Sequence, residues 1–199
     1  MESLKSIVFA GGLSLYVIFF YLKAYLQQRS SRVNPLKLTV GSKPAPLAFN
    51  ERLIKVFGFA FVLTAFLQAL YAVRPRLFWE HHLTDVAGLG VFIFGLGLFV
   101  VAMVGMRDSW RAGIDPGART ALVSEGVFRI SRNPAFTGYL MMLAGFMLAY
   151  PSAVSLGLLI VTIMVIHTQI LHEEEFLKAL HGSAYEAYRR SVPRYFWLL

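Results

Sequence analysis

The chain has 199 residues, of which 57% are hydrophobic and only 15% charged, with a mean hydropathy of +0.59. Soluble domains carry roughly 45–50% apolar and about 25% charged residues, so this composition belongs to an integral membrane protein and excludes a soluble globular domain. The net charge of +8 would suggest nucleic acid in a soluble protein. Here the basic residues cluster in short loops beside apolar runs, where membrane topology accounts for them and no nucleic-acid partner is implied. There is no cysteine, which rules out disulfides, thiolate metal sites and a cysteine nucleophile.

In chain order, Ser6 to Leu22 is free of charge, and Lys23 can snorkel, so a first span reaches about Leu26. No small-residue cleavage site follows the run, which reads as a retained span rather than a signal peptide. Residues Gln27 to Arg52 form a basic loop carrying Arg29, Arg32, Lys37, Lys43 and Arg52, with prolines at 35, 44 and 46. A second span is expected from Leu53 to Val73, stopped by Arg74-Pro75-Arg76. After Trp79, His81 and His82 comes a third, Val86 to Met106, whose Gly88, Gly90, Gly95 and Gly97 suit close helix contact in lipid. The two adjacent histidines lack spaced carboxylate partners, so no metal site is expected.

A polar and basic segment follows, centred on Leu122 to Gly138, LVSEGVFRISRNPAFTG. Residues 133 to 171 then carry no Asp, Glu, Lys or Arg. That run is about twice the length of one crossing, and Tyr150-Pro151-Ser152 divides it into a transmembrane hairpin. The sequence therefore predicts an all-α polytopic protein of about five spans with short cytoplasmic C-terminal helices. Residues 1–106 would form three N-terminal spans and 107–199 a catalytic half. Five Lys or Arg in each of the loops 27–52 and 107–132, against none in the hairpin turn, place the N-terminus outside and the C-terminus in the cytoplasm.

Asn133 before Pro134 marks a helix start, with the Asn side chain as cap and proline at the first position. A solvated helix face is the simplest account of Glu173-Glu174-Glu175, and a hydrogen-bonded buried residue that of His167. Ser183-Ala184-Tyr185-Glu186 reads as a capping box opening a last helix, and Val192-Pro193-Arg194 as its close. Trp110 and Arg111 read as an interfacial pair, with a place at the mouth of a site as the alternative.

The order LVxxGVF, RNPxFxG, apolar hairpin, EExxL, GxxYxxY and VPR, over Thr120 to Arg194, resembles the C-terminal half of the isoprenylcysteine carboxyl methyltransferases and related phospholipid methyltransferases. The resemblance implies a membrane enzyme that uses S-adenosylmethionine, bound on the cytoplasmic side, to methylate a lipidic or small apolar acceptor. Such an enzyme would sit in the inner membrane of a bacterium. It carries cofactor contacts onto Thr120, Ala121, Leu122, Val123 and Phe128, and the family's Arg-His-Pro-x-Tyr motif onto Arg132, Asn133, Pro134, Ala135 and Phe136. It carries the active-site glutamate onto Glu173, so Glu173 and Arg132 are the expected catalytic pair. Asn133 replaces a titratable histidine, and Phe128 and Phe136 replace tyrosines. The acceptor is expected to be isoprenylcysteine carboxylate-like, with a phospholipid amine or a thiol as the alternative; Gln169 stands where eukaryotic members hold an arginine, which weakens the case for a prenylcysteine carboxylate in particular. Gln169, Arg111 and His167 are candidate substrate contacts. A membrane reductase using NADPH and a non-catalytic scaffold are the competing classes.

Overall fold

The computed structural model describes residues 2–70, 77–117 and 119–196, so the expected stop at Arg74-Pro75-Arg76 lies outside the described residues. These residues form six α-helices and two short 3₁₀ turns: α1 (Glu2–Ser31), α2 (Ala45–Ala69), α3 (His82–Gly105), α4 (Pro134–Ala149), α5 (Ala153–His181) and α6 (Ser183–Ser191). The 3₁₀ turns, Arg107–Ser109 and Gly126–Arg129, lie in the polar segment between α3 and α4. Helices α1, α2, α3 and α5 are each long and apolar enough to cross a membrane, and α4 is a shorter apolar helix of 16 residues.

The hairpin is therefore uneven, where two near-equal helices were expected. Its first arm starts only at Pro134 and ends at Tyr150, spanning about 24 Å, while its second runs 29 residues, about 43 Å. A hydrocarbon core is about 30 Å thick, so α5 crosses with its uncharged run to Leu171, and its turns from His172 onward project beyond it. The turn is tied by a reciprocal cap in which Ser152 Oγ accepts from the Ser155 amide and Ser155 Oγ accepts from the Ser152 amide. The basic loop is shorter than expected, because α1 continues to Ser31 and α2 already begins at Ala45.

Helix α3 is the centre of the bundle: 44% of its most apolar window is buried, against 17% for α1. Two glycine pairs bring α3 and α4 into backbone contact. A Cβ on Gly88 would lie 2.6 Å from the Gly145 carbonyl, and one on Gly95 would lie 2.6 Å from the Gly138 carbonyl. Gly90 and Gly97 face open space. Of the four glycines expected to serve close approach, the two spaced seven apart on the inner face do so. An aromatic core fills the bundle around them, with Phe9 packed on Phe92, Phe146 and Tyr150 at centroid distances of 4.6–5.7 Å.

The two ends of the bundle differ. At one, Lys5 of α1 pairs with Asp85 of α3 at 3.2 Å and donates to the Ala149 carbonyl. At the other, Gln27 near the end of α1 donates to the Asp108 and Trp110 carbonyls, anchoring the polar segment. Glu51 in α2 ties that end together. It is fully buried, pairs with Lys43 at 2.7 Å, and accepts the amide hydrogens of Thr39 and Ile114. The loop after α1 runs beside the polar segment as a parallel bridge between Leu36 and Ala112.

Candidate active site

A cavity of about 890 Å³, counting its open mouth, lies at the Gln27 end of the bundle. Four stretches enclose it: the polar segment on one side, the start of α4, the projecting turns of α5, and α6. Of the residues singled out in the sequence, Arg111, Thr120, Ala121, Leu122, Val123, Phe128, Arg132, Asn133 and Glu173 all line it.

Helix direction decides which glutamate does what. Adjacent residues on an α-helix point about 100° apart, so Glu173 and Glu174 cannot serve one partner. Glu174 takes the ion pairs. Its Oε1 accepts from Arg132 Nη2 at 2.8 Å and from Arg194 Nε at 2.9 Å, and its Oε2 accepts from Arg194 Nη2 at 2.8 Å. Glu173 has no arginine partner; its Oε1 accepts from the Gln169 amide nitrogen at 3.2 Å. The reading of this acidic run as a solvated face is thus corrected for Glu174, which is buried and held by two guanidinium groups, while Glu175 is exposed.

Arg132 is consequently both a cavity wall and a stitch. Its amide donates to Pro193, its Nη1 donates to the carbonyls of Arg189 and Val192, and its Nε has no hydrogen-bond partner. The Asn133 side chain does not cap α4, contrary to the sequence expectation. It donates instead to the Arg194 carbonyl at 3.3 Å, and Ser131 Oγ donates to the same carbonyl. Pro134 does occupy the first turn, as expected. The Ser183–Glu186 capping box is also absent. Gly182, at φ 55°, ends α5 and caps α6 with its backbone alone, and Glu186 pairs with Lys178 and Arg189. Val192-Pro193-Arg194 does more than end a helix: it is sewn onto Ser131-Arg132-Asn133.

Some expected site residues lie elsewhere. Ala135 and Phe136 pack against the bundle core. Pro134 is buried in the first turn of α4, away from the cavity lining. Gln169 is buried behind Glu173. His167 Nδ1 meets the Tyr195 hydroxyl at 3.0 Å, a partnered histidine. Trp110 is buried in the bundle, edge-on to Phe20 at 5.4 Å, and its carbonyl accepts from Gln27, so its ring is a packing residue rather than an exposed anchor.

Tyr185 and Tyr188, three apart on α6, contribute the opposite wall. Burial pushes both phenols up to about 12, so they serve as hydrogen-bond donors at neutral pH and not as bases. Tyr188 uses its hydroxyl to hold the Phe128 carbonyl at 2.7 Å, which fixes the cavity's aromatic face. Across the cavity, Lys37 at 2.9 Å holds the Asp115 carboxyl below the usual carboxylate range. The sequence reading missed Glu174, Tyr185 and Tyr188 as site components. The available signal was the arginine in Val192-Pro193-Arg194, which needs a partner near Arg132.

A helical membrane bundle with a polar cavity built from RNPxFxG, EExxL and VPR at one end defines a class of membrane-embedded enzyme. The family model for phospholipid methyltransferase matches residues 83–184, just over half of the chain, and the protein belongs to that family of membrane methyltransferases. The match runs from α3 to the start of α6 and so covers most of the cavity wall, leaving α1 and α2 outside. No curated protein gives a match to the chain.

Proposed function

We propose that the protein transfers a methyl group from S-adenosylmethionine to a lipidic or small apolar acceptor. The transfer takes place in the cavity between the polar segment, α5 and α6. The observation that carries this reading is the convergence of Thr120 to Val123, Phe128, Arg132 and Glu173 on one cavity at the polar end of an apolar bundle. The cavity chemistry fits the methyl donor. Phe128, Leu122 and Leu177 provide an apolar and aromatic surface for an adenine ring. Arg111 and Arg132 line the cavity and put positive charge beside a place for a carboxylate. Glu173 offers a carboxylate to an ammonium group.

The donor, when bound, supplies an electrophilic methyl on a sulfonium. The chain's own residues hold the reacting groups in line and keep water away, which lowers such a barrier by roughly 7–11 kcal/mol in favourable cases. Glu173 is the group placed to orient an ammonium, or to take a proton from an amine or thiol acceptor. Gln169 is neutral and buried behind Glu173, so no cation stands at that position to hold a carboxylate acceptor. This favours an amine or thiol acceptor over an isoprenylcysteine-like carboxylate. Arg29, Arg32, Lys37, Lys43 and Arg52, with Arg107, Arg119 and Arg129, all belong to the segments at the cavity end. Positive-inside bias therefore puts that end in the cytoplasm, with the N-terminus outside the inner membrane of a bacterium.

The test is calorimetric titration of the detergent-purified protein with S-adenosylhomocysteine, S-adenosylmethionine and NADPH. Saturable binding of the first two, absent for NADPH and lost in Glu173→Gln and Phe128→Ala variants that elute as the parent does, supports the proposal. Binding of NADPH alone would overturn it.

A further inference from the structure

Two buried amides, Asn50 and Gln169, form a polar line from α2 to the half-buried Glu173 at the cavity. Asn50, in the second turn of α2 and 5% exposed, donates from Nδ2 to the Val165 carbonyl at 3.2 Å and to Gln169 Oε1 at 3.1 Å. Gln169, 1% exposed, donates from Nε2 to Glu173 Oε1 at 3.2 Å. The direction of this line follows from chemistry. A backbone carbonyl can only accept, so the nitrogen end of Asn50 must face α5. Facing that nitrogen, Gln169 must present its oxygen. Its NH₂ group is then left for Glu173, whose carboxylate receives a donor and never a competing acceptor.

We propose that Asn50 is a positioning residue for Glu173, acting through Gln169 to fix which end of the amide meets the carboxylate. The inference rests on the reading of Glu173 as a site residue, but Asn50 lies outside the stretch that the family model matches. It gives α2 a part in the site. Asn50 holds the carboxylate from behind, while its neighbour Glu51 holds the polar segment through Ile114. One turn of one helix thus sets the distance between Glu173 and the opposite wall.

The test is an infrared titration of the Glu173 carboxyl in the full-length protein without donor or acceptor, the band being assigned by its loss in Glu173→Gln. Several charges face this group. Lys43 and Glu51 act on it from behind, and Arg111, Asp115, Arg132, Glu174 and the two α6 tyrosines share its cavity. All remain in place in the variants, so a change reports the relay. A hydrogen bond donated to a carboxylate stabilises the ionised form. Gln169→Leu removes the hydrogen bond to Glu173 and should raise its proton affinity on the order of tenfold, the scale of one hydrogen bond to a charged group, while Asn50→Leu, which keeps that bond but frees the amide to turn, should raise it in the same direction by less. The double variant should shift no further than Gln169→Leu alone. If Asn50→Leu does not fold, Asn50→Ser serves: its hydroxyl is too short to bridge to Gln169, and the same shift is expected. A wild-type midpoint in the Asn50 variant, or a shift that adds to that of Gln169→Leu, would overturn the proposal. Failure of the unmodified protein to bind S-adenosylhomocysteine would sink the methyl-donor reading while leaving this result intact.

Discussion

Two neighbouring glutamates carry different burdens, and substitution should separate them. Glu174 is 8% exposed and neutralises Arg132 while also binding Arg194. Removing its charge leaves a nearly buried guanidinium unpaired, a loss on the order of 3 kcal/mol for such pairs. Glu174→Gln should therefore lower the melting temperature in detergent markedly and release the Arg194 segment. Glu173→Gln keeps an acceptor for Gln169 and breaks no ion pair, so stability should change by less than about 1 kcal/mol while donor binding is lost. Equal destabilisation by both would contradict this division. The sequence made Glu173 legible through EExxL. It could not reveal that Glu174 is the ion-pair partner, because that depends on the rotation of α5 against Ser131-Arg132-Asn133, which is set by long-range packing.

At the scale of elements, the contact between α3 and α4 is the device that fixes the Asn133 end of the cavity. Lipid supplies no hydrophobic drive between apolar helices, so close packing at small residues must hold them. A Cβ on Gly138 would lie 2.6 Å from the Gly95 carbonyl and 2.7 Å from the Phe99 amide nitrogen. Both obstacles are backbone and cannot rotate away. Gly138→Ala should force the helices apart at a cost of about 1–3 kcal/mol, the range for overpacking, and displace the first turn of α4. Gly90→Ala, on the open face of α3, should be neutral or stabilising by up to about 1 kcal/mol, since alanine is the better helix former. Thermal unfolding of the two variants side by side checks the pair, and similar losses would show that α3 is held by something other than this seam. The glycines of α3 were visible in the sequence as a cluster of four. Which two face inward was not, because the apolar residues on every side of a membrane helix leave no amphipathic stripe to read. The start of α2 at Ala45 was missed for another reason: its apolar first turn, Ala45 to Phe49, is short, carries Pro46 and lies between Lys43-Pro44 and Glu51-Arg52, so it reads as loop.

At the scale of the whole molecule, the asymmetry between the ends is the feature from which function follows. Apolar runs disclosed the five apolar helices, four of them long enough to span, and the hairpin, because burial in lipid selects composition directly. The site was legible only as far as its motifs. The buried residues behind it, Asn50 and Glu51 on α2, come from a stretch that reads in sequence as the end of a basic loop. The orientation proposed above rests on the same asymmetry, and the absence of cysteine makes it directly testable. Glu80 is exposed at the Lys5 end, and Gly117 is exposed beside the cavity at the other. In intact cells, a single cysteine at Glu80→Cys should react with a membrane-impermeant maleimide, whereas Gly117→Cys should react only after permeabilisation. The reverse pattern would place the cavity outside, away from any cytoplasmic methyl donor. That result would remove the physical basis for drawing a soluble cofactor and a membrane-borne acceptor to the same cavity from opposite directions, however well the cavity itself were formed.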